Sequence, residues 1–157
     1  MGQRGEALAN RFEQANNEFT KAVESCSSAD WAAQCEGEGW PFGVTAHHVA
    51  QSHGPIAGMV QTIAAGGAMP PLTAELLDGM NAAHAKEHAA CTKDETVSML
   101  REQGAAATKI VRGLSDDQLD KSGVFVGNKM NAEQIVEHVL IGHVAGHFES
   151  LKASIGA

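Results

Sequence analysis

Hydrophobic positions along the chain recur mostly at helical spacing, in long runs separated by short polar or glycine-rich breaks. Leu8, Phe12, Ala15, Phe19 and Val23 follow one another at intervals of four, three, four and four, one stripe of a helix over about residues 5–26. A stretch rich in Ser, Gly and Glu follows and ends at Gly39-Trp40-Pro41. A second long helix is predicted over about 43–66, stopped by Gly66-Gly67 and the Pro70-Pro71 pair. Residues 73–90 read as a shorter helix. Thr92, with Glu95 three positions on, has the form of a capping box and opens a helix that runs to Gly113. "LSDDQLD" reads as a single polar turn, and "SGVFVGNK" as a loop or a small hairpin-like excursion. Asn131 with Gln134 opens a last helix that runs close to the C-terminus. No internal repeat or low-complexity linker divides residues 1–157. The expected fold is a single all-α domain, an up-down-type four-helix bundle with one short additional helix.

Histidines interrupt this apolar patterning at informative places. In the last helix, Val136, Val139, Leu140, Val144 and Leu151 define the apolar arc at about 100° per residue. His143 and His147 fall inside that arc, about 40° apart, whereas His138 projects to the polar side with Gly142 and Glu149. Two imidazoles at i and i+4 on an inward face can share one ion from a single helix. The second helix has an arc through Val44, Val49, Ile56, Met59 and Ile63. His48 and Ser52 sit in it, His53 lies at its edge, and His47 projects to the polar side. Pro55 removes a backbone hydrogen bond beyond His48, which is expected to bend or loosen the helix there. His48, His143 and His147 could therefore meet in the interior as an open divalent-metal site, or each could be an isolated core histidine satisfied by a backbone carbonyl. His84 and His88 form another i, i+4 pair. They read as the true site, a second site or a half-exposed face, and with His53 they are candidates for a pocket wall.

Composition narrows the function classes. The formal charge is −8, from 11 Lys and Arg against 19 Asp and Glu, with no clustered basic patch, so neither a nucleic-acid nor an anionic-membrane partner is expected. The segment MGQRGEALAN has no apolar core of the secretory-signal kind, and Ile56–Pro70 is too short and broken to span a bilayer. Cys26, Cys35 and Cys91 are odd in number and match no CxxC spacing, as expected for reduced thiols in the cytoplasm rather than a disulfide framework.

The segment GWPFGVTAHHVA resembles the tryptophan, seven residues, histidine, aliphatic signature of the DinB/YfiT-like metal-binding four-helix bundles. Met80-Asn81 before a Thr-capped helix resembles the middle section of that family, and HVLIGHVAGHFESL its final-helix histidine pair. The resemblance runs from about residue 40 to the end. It implies a divalent-metal triad at His48, His143 and His147, with zinc or nickel as the ion, and a homodimer. Pro41 stands where members commonly carry a Ser or Thr cap. His143 stands where the mycothiol-dependent maleylpyruvate isomerase branch commonly has Glu, so the chain looks closer to the all-histidine branch.

Similar proteins are thought to be S-transferases that use a low-molecular-weight thiol, mycothiol or bacillithiol. The expected function is accordingly a metal-dependent thiol transferase acting on a small-molecule substrate, with the ion activating the thiol. Trp40, Ser52, His53, His84 and His88 are the expected pocket residues. The alternatives are a binding module without turnover, a metal-dependent hydrolase, and a structural bundle with buried histidines. No inward Glu is evident beside the triad, which favours thiol transfer or binding over water activation.

Overall fold

The computed structural model describes residues 2–156. Helix α1 (Gln3–Ser25) buries Leu8, Phe12, Phe19 and Val23, the predicted stripe. One unpredicted turn, α2 (Ser28–Trp31), is closed by a reciprocal Ser27–Asp30 capping box. Strands β1 (Gln34–Cys35) and β2 (Trp40–Pro41) pair antiparallel. Helix α3 (Phe42–Ala64) runs through Pro55 without interruption, and α4 (Ala74–Glu87) is capped by the Thr73 hydroxyl. The Thr92 hydroxyl accepts the Glu95 amide at 3.3 Å and opens α5 (Lys93–Arg112). Only half of the expected capping box forms, because the Glu95 carboxylate turns toward His47 instead.

A single turn, α6 (Asp116–Leu119), matches LSDDQLD, although its Leu119 is fully buried. The segment SGVFVGNK resolves as a true hairpin of β3 (Ser122–Phe125) and β4 (Asn128–Asn131). The last helix begins as α7 (Ala132–Gln134) with the predicted Asn131–Gln134 box in place. It passes through a π-helical segment, Ile135–Ile141, and continues as α8 (Gly142–Ser154). In the π segment Ile135 and Leu140, five residues apart, are both buried, as the wider i to i+5 turn requires.

Four long helices enclose the core, and their spatial order differs from their chain order. Helix α5 packs against both α1 and α3, and the last helix packs against both α1 and α3 on the other side. The pairs α1/α3 and α5/last helix are therefore diagonal, and each connection between diagonal helices must cross an end of the bundle. Residues 26–41 cross with α2, β1 and β2. Residues 113–131 cross with α6 and the β3–β4 hairpin. Both crossings carry residues to the site described below.

Helix α3 is hemmed in by α5, the last helix, α4 and the two strand pairs, so every residue from Phe42 to Ala50 is buried. Glycine permits two of the closest approaches. A Cβ on Gly43 would collide with the Trp31 ring, and one on Gly104 with the Asn16 amide. Asn16 is itself buried and donates to the Leu100 carbonyl at 2.9 Å.

Candidate metal centre

Helix α3 starts at Pro41, which offers no side-chain cap; the Phe42 amide donates instead to the Ala33 carbonyl at 2.7 Å. That start sets the rotation of α3 and brings His48 opposite the last helix. His48 Nε2 lies 2.9 Å from His143 Nε2. The His147 ring stands 5.1 Å from that of His48 and 4.5 Å from that of His143, near perpendicular to both. One ring nitrogen from each of the three lies within 4.8 Å of the others. The three residues picked out by helical projection are thus together, and His138 is exposed as projected.

Electrostatics suits this set to a cation. Burial, reinforced by His147, His84 and His47, holds His48 down at about 3. Burial, reinforced by His147, His48 and His53, holds His143 down at about 2. Both imidazoles are therefore neutral near pH 7 and carry a free lone pair, the form that ligates a metal. His143 Nδ1 is buried and finds no hydrogen-bond partner among the described residues.

Glu38 completes the arrangement. Its Oε2 lies 2.6 Å from His147 Nδ1. With the carboxylate as acceptor, His147 Nδ1–H is the donor, which leaves Nε2 as the nitrogen available to the group of three. The Glu38 side chain is 9% exposed, and its Oε1 finds no partner among the described residues. The sequence reading, which saw no inward carboxylate beside the triad, is corrected here. The reason is long range. Gly39 takes a positive φ of 76° and its amide donates to the Cys35 carbonyl at 2.9 Å, folding the β1–β2 turn back so that Glu38 reaches His147, 109 residues away.

A cavity of about 380 Å³ opens beside His48 and His143. Its walls are mostly apolar: Pro55, Met59, Leu77, Met80, Phe125 and Val139, with Gln51, Ser52, Asn81 and His84 among the polar ones. Phe125 comes from the β3–β4 hairpin, and Leu77, Met80, Asn81 and His84 from α4. Of the expected pocket residues, Ser52 and His84 line this space.

Trp40 does not line the cavity; it packs edge-on against the His48 ring at 5.2 Å. His53 is corrected from pocket wall to core. It is 0% exposed, donates from Nε2 to Asn16 Oδ1 at 2.7 Å and packs edge-on against Phe12, with burial holding it down at about 4. His88 also lies outside the cavity lining.

His47 is corrected as well: it is 1% exposed rather than on a polar face, because α4 and the start of α5 cover that side of α3. It gathers with His84 and His88 into a second group of three, again with one nitrogen from each within 4.8 Å of the others. Burial raises the thiol pKa of Cys26, Cys35 and Cys91, which leaves them poor nucleophiles, and all three are free.

Comparison with known proteins agrees with this fold. The family model described as the DinB superfamily matches residues 11–151. Among solved structures, YfiT from Bacillus subtilis is similar in fold, with a TM-score of 0.75 at 17% identity over 99% of this chain and 90% of that one. That protein is described as a probable metal-dependent hydrolase with an unusual four-helix bundle topology. No curated protein matches the sequence significantly. No helix among the described residues is long and apolar enough to cross a membrane.

Proposed function

The chain belongs to the DinB superfamily, and we propose that it is a divalent-metal-dependent enzyme that activates a small nucleophile at His48, His143 and His147. The observation that carries this reading is the opening of the neutral His48 and His143 imidazoles, with His147 grouped beside them, onto an apolar cavity of about 380 Å³. A set closed by a fourth protein ligand would suit a structural ion; one open to a substrate-sized space suits turnover. A bound zinc or nickel ion would lower the pKa of a thiol or water placed beside it. His147 is held in one tautomer by Glu38, and His48 is fixed by the Trp40 edge. The apolar wall from Met59, Leu77, Met80 and Phe125 would hold a small electrophile and exclude bulk water.

The nucleophile in the leading reading is the sulfur of a low-molecular-weight thiol, mycothiol or bacillithiol. The reaction is S-transfer: the thiol sulfur bonds to the electrophilic carbon, and the leaving group departs with the thiol proton. The protein's own thiols, buried and poorly acidic, do not compete. A second reading, metal-dependent hydrolysis, is favoured by Glu38, whose unpartnered carboxylate oxygen stands next to the set. The reading includes a cytoplasmic homodimer with neither nucleic-acid nor membrane partners.

The test is zinc-loaded protein incubated with the two thiols and 1-chloro-2,4-dinitrobenzene, beside a p-nitrophenyl ester without thiol. Thiol-dependent turnover that disappears in His48→Ala is expected. Ester cleavage independent of thiol would replace transfer by hydrolysis, and saturable binding without either reaction would leave a binding module.

A further inference from the structure

The second histidine group has no role in the reading above. His47 Nδ1 stands 2.7 Å from His84 Nε2, and the His88 ring lies 4.4 Å from His47 and 4.9 Å from His84, centroid to centroid. His47 Nε2 and His84 Nδ1 are buried and find no hydrogen-bond partner among the described residues. A neutral imidazole carries one N–H donor and one lone pair, and the one close contact, His47 to His84, uses a single donor and a single acceptor. Packing alone gives no reason to gather such groups, because buried polar atoms left without partners are costly. A cation seated between His47 Nδ1 and His84 Nε2, with a nitrogen of His88 as third ligand, would take one lone pair from each ring and leave His47 Nε2 as an N–H donor on the Glu95 side. Glu95 Oε1, 3.9 Å from His47 Nε2, places a carboxylate behind one ring, the arrangement that orients metal-binding histidines.

The location adds a consequence. Each residue of α4 stays at least partly exposed, so apolar burial does little to hold this helix to the bundle. His84 and His88 lie in its last turn and at its C-cap, and they meet His47 of α3. His84 also lines the main cavity and its ring stands 5.6 Å from that of His48.

We propose that His47, His84 and His88 form a second divalent-metal site, taking an imidazole-preferring cation such as zinc(II), whose ion clamps α4 onto α3. The clamp holds Leu77, Met80 and Asn81 in place as one wall of the cavity. The site is separate from the His48, His143 and His147 set, though the two adjoin through the neighbouring residues His47 and His48.

The full chain, stripped with chelator, would be titrated with zinc(II) by calorimetry and with cobalt(II) by visible absorption. Hydrogen exchange across α4 would be followed with and without zinc. The expected result is about two cations per chain in the parent and about one in His88→Gln, in His84→Gln and in His143→Ala. Zinc should slow α4 exchange in the parent and in His143→Ala but not in His88→Gln. His88 is about a third exposed, so its variant should fold, with circular dichroism as the check. A single cation lost in His143→Ala and kept in His88→Gln would overturn this site and leave the first intact. A single cation lost in His88→Gln and kept in His143→Ala would support this site and remove the first. Parental stoichiometry in His88→Gln, or α4 exchange indifferent to zinc, would also overturn it.

Discussion

Glu38 acts on the candidate centre through His147 rather than through the cavity. Its hydrogen bond selects the tautomer that leaves His147 Nε2 free to ligate, and partners of this kind typically contribute a factor of about 10–100 to metal affinity. Glu38→Ala should therefore weaken zinc binding by about that factor while leaving the metal-free melting temperature nearly unchanged, read by competition with a chromophoric chelator. Unchanged affinity would mean that the contact is incidental. At this scale, the residues legible in the sequence were those whose environment follows from helix rotation. His143 and His147 share the regular turns of α8 and face inward together, and His138 falls outward although it lies in the π segment before them. His47 and His53 were misplaced because α3 is covered on nearly all sides, so rotation stops distinguishing inside from outside. Glu38 lies in a turn without periodicity and meets a residue 109 positions away, and no local pattern encodes that meeting.

The elements were legible wherever apolar spacing and capping chemistry agreed. Helices α1, α3, α4 and α5 begin and end within a few residues of their expected bounds, since Thr73, Thr92, Gly66 and Gly113 punctuate the chain. The π segment was not legible, because a single wider turn leaves most of the apolar arc in place. The β1–β2 pair was hidden for another reason: two-residue strands are too short for alternation to register, whereas SGVFVGNK already read as a loop or a small hairpin. The β3–β4 hairpin also departs from its usual turn chemistry. Val126 and Gly127 both have positive φ, 47° and 78°, a backbone state that suits Asn-Gly and strains a β-branched residue. Val126→Asn should relieve about 1 kcal/mol and raise the melting temperature by roughly 2–4 °C in scanning calorimetry. A fall in melting temperature would show that the Val126 side chain contributes more than its backbone costs.

At the scale of the whole molecule, the order of the helices explains why the site is where it is. Because consecutive long helices α1 and α3 are diagonal, as are α5 and the last helix, two long connections cross the bundle. One delivers Trp40 and Glu38 to the histidines; the other delivers Phe125 to the cavity wall. The connection from α3 to α5 joins adjacent helices and is free to carry α4, which supplies the remaining wall. Four helices could be counted from the sequence, but their diagonal order could not, since every long helix shows only an inward stripe and never the identity of its neighbour. The central claim is that His48, His143 and His147 hold one divalent ion. Elemental analysis of the purified protein beside the three single alanine variants tests it most directly. Each variant should lose about one equivalent of zinc or nickel relative to the parent while remaining folded. Parental metal content in any folded variant, or a parent that neither contains nor takes up a divalent ion, would contradict the account.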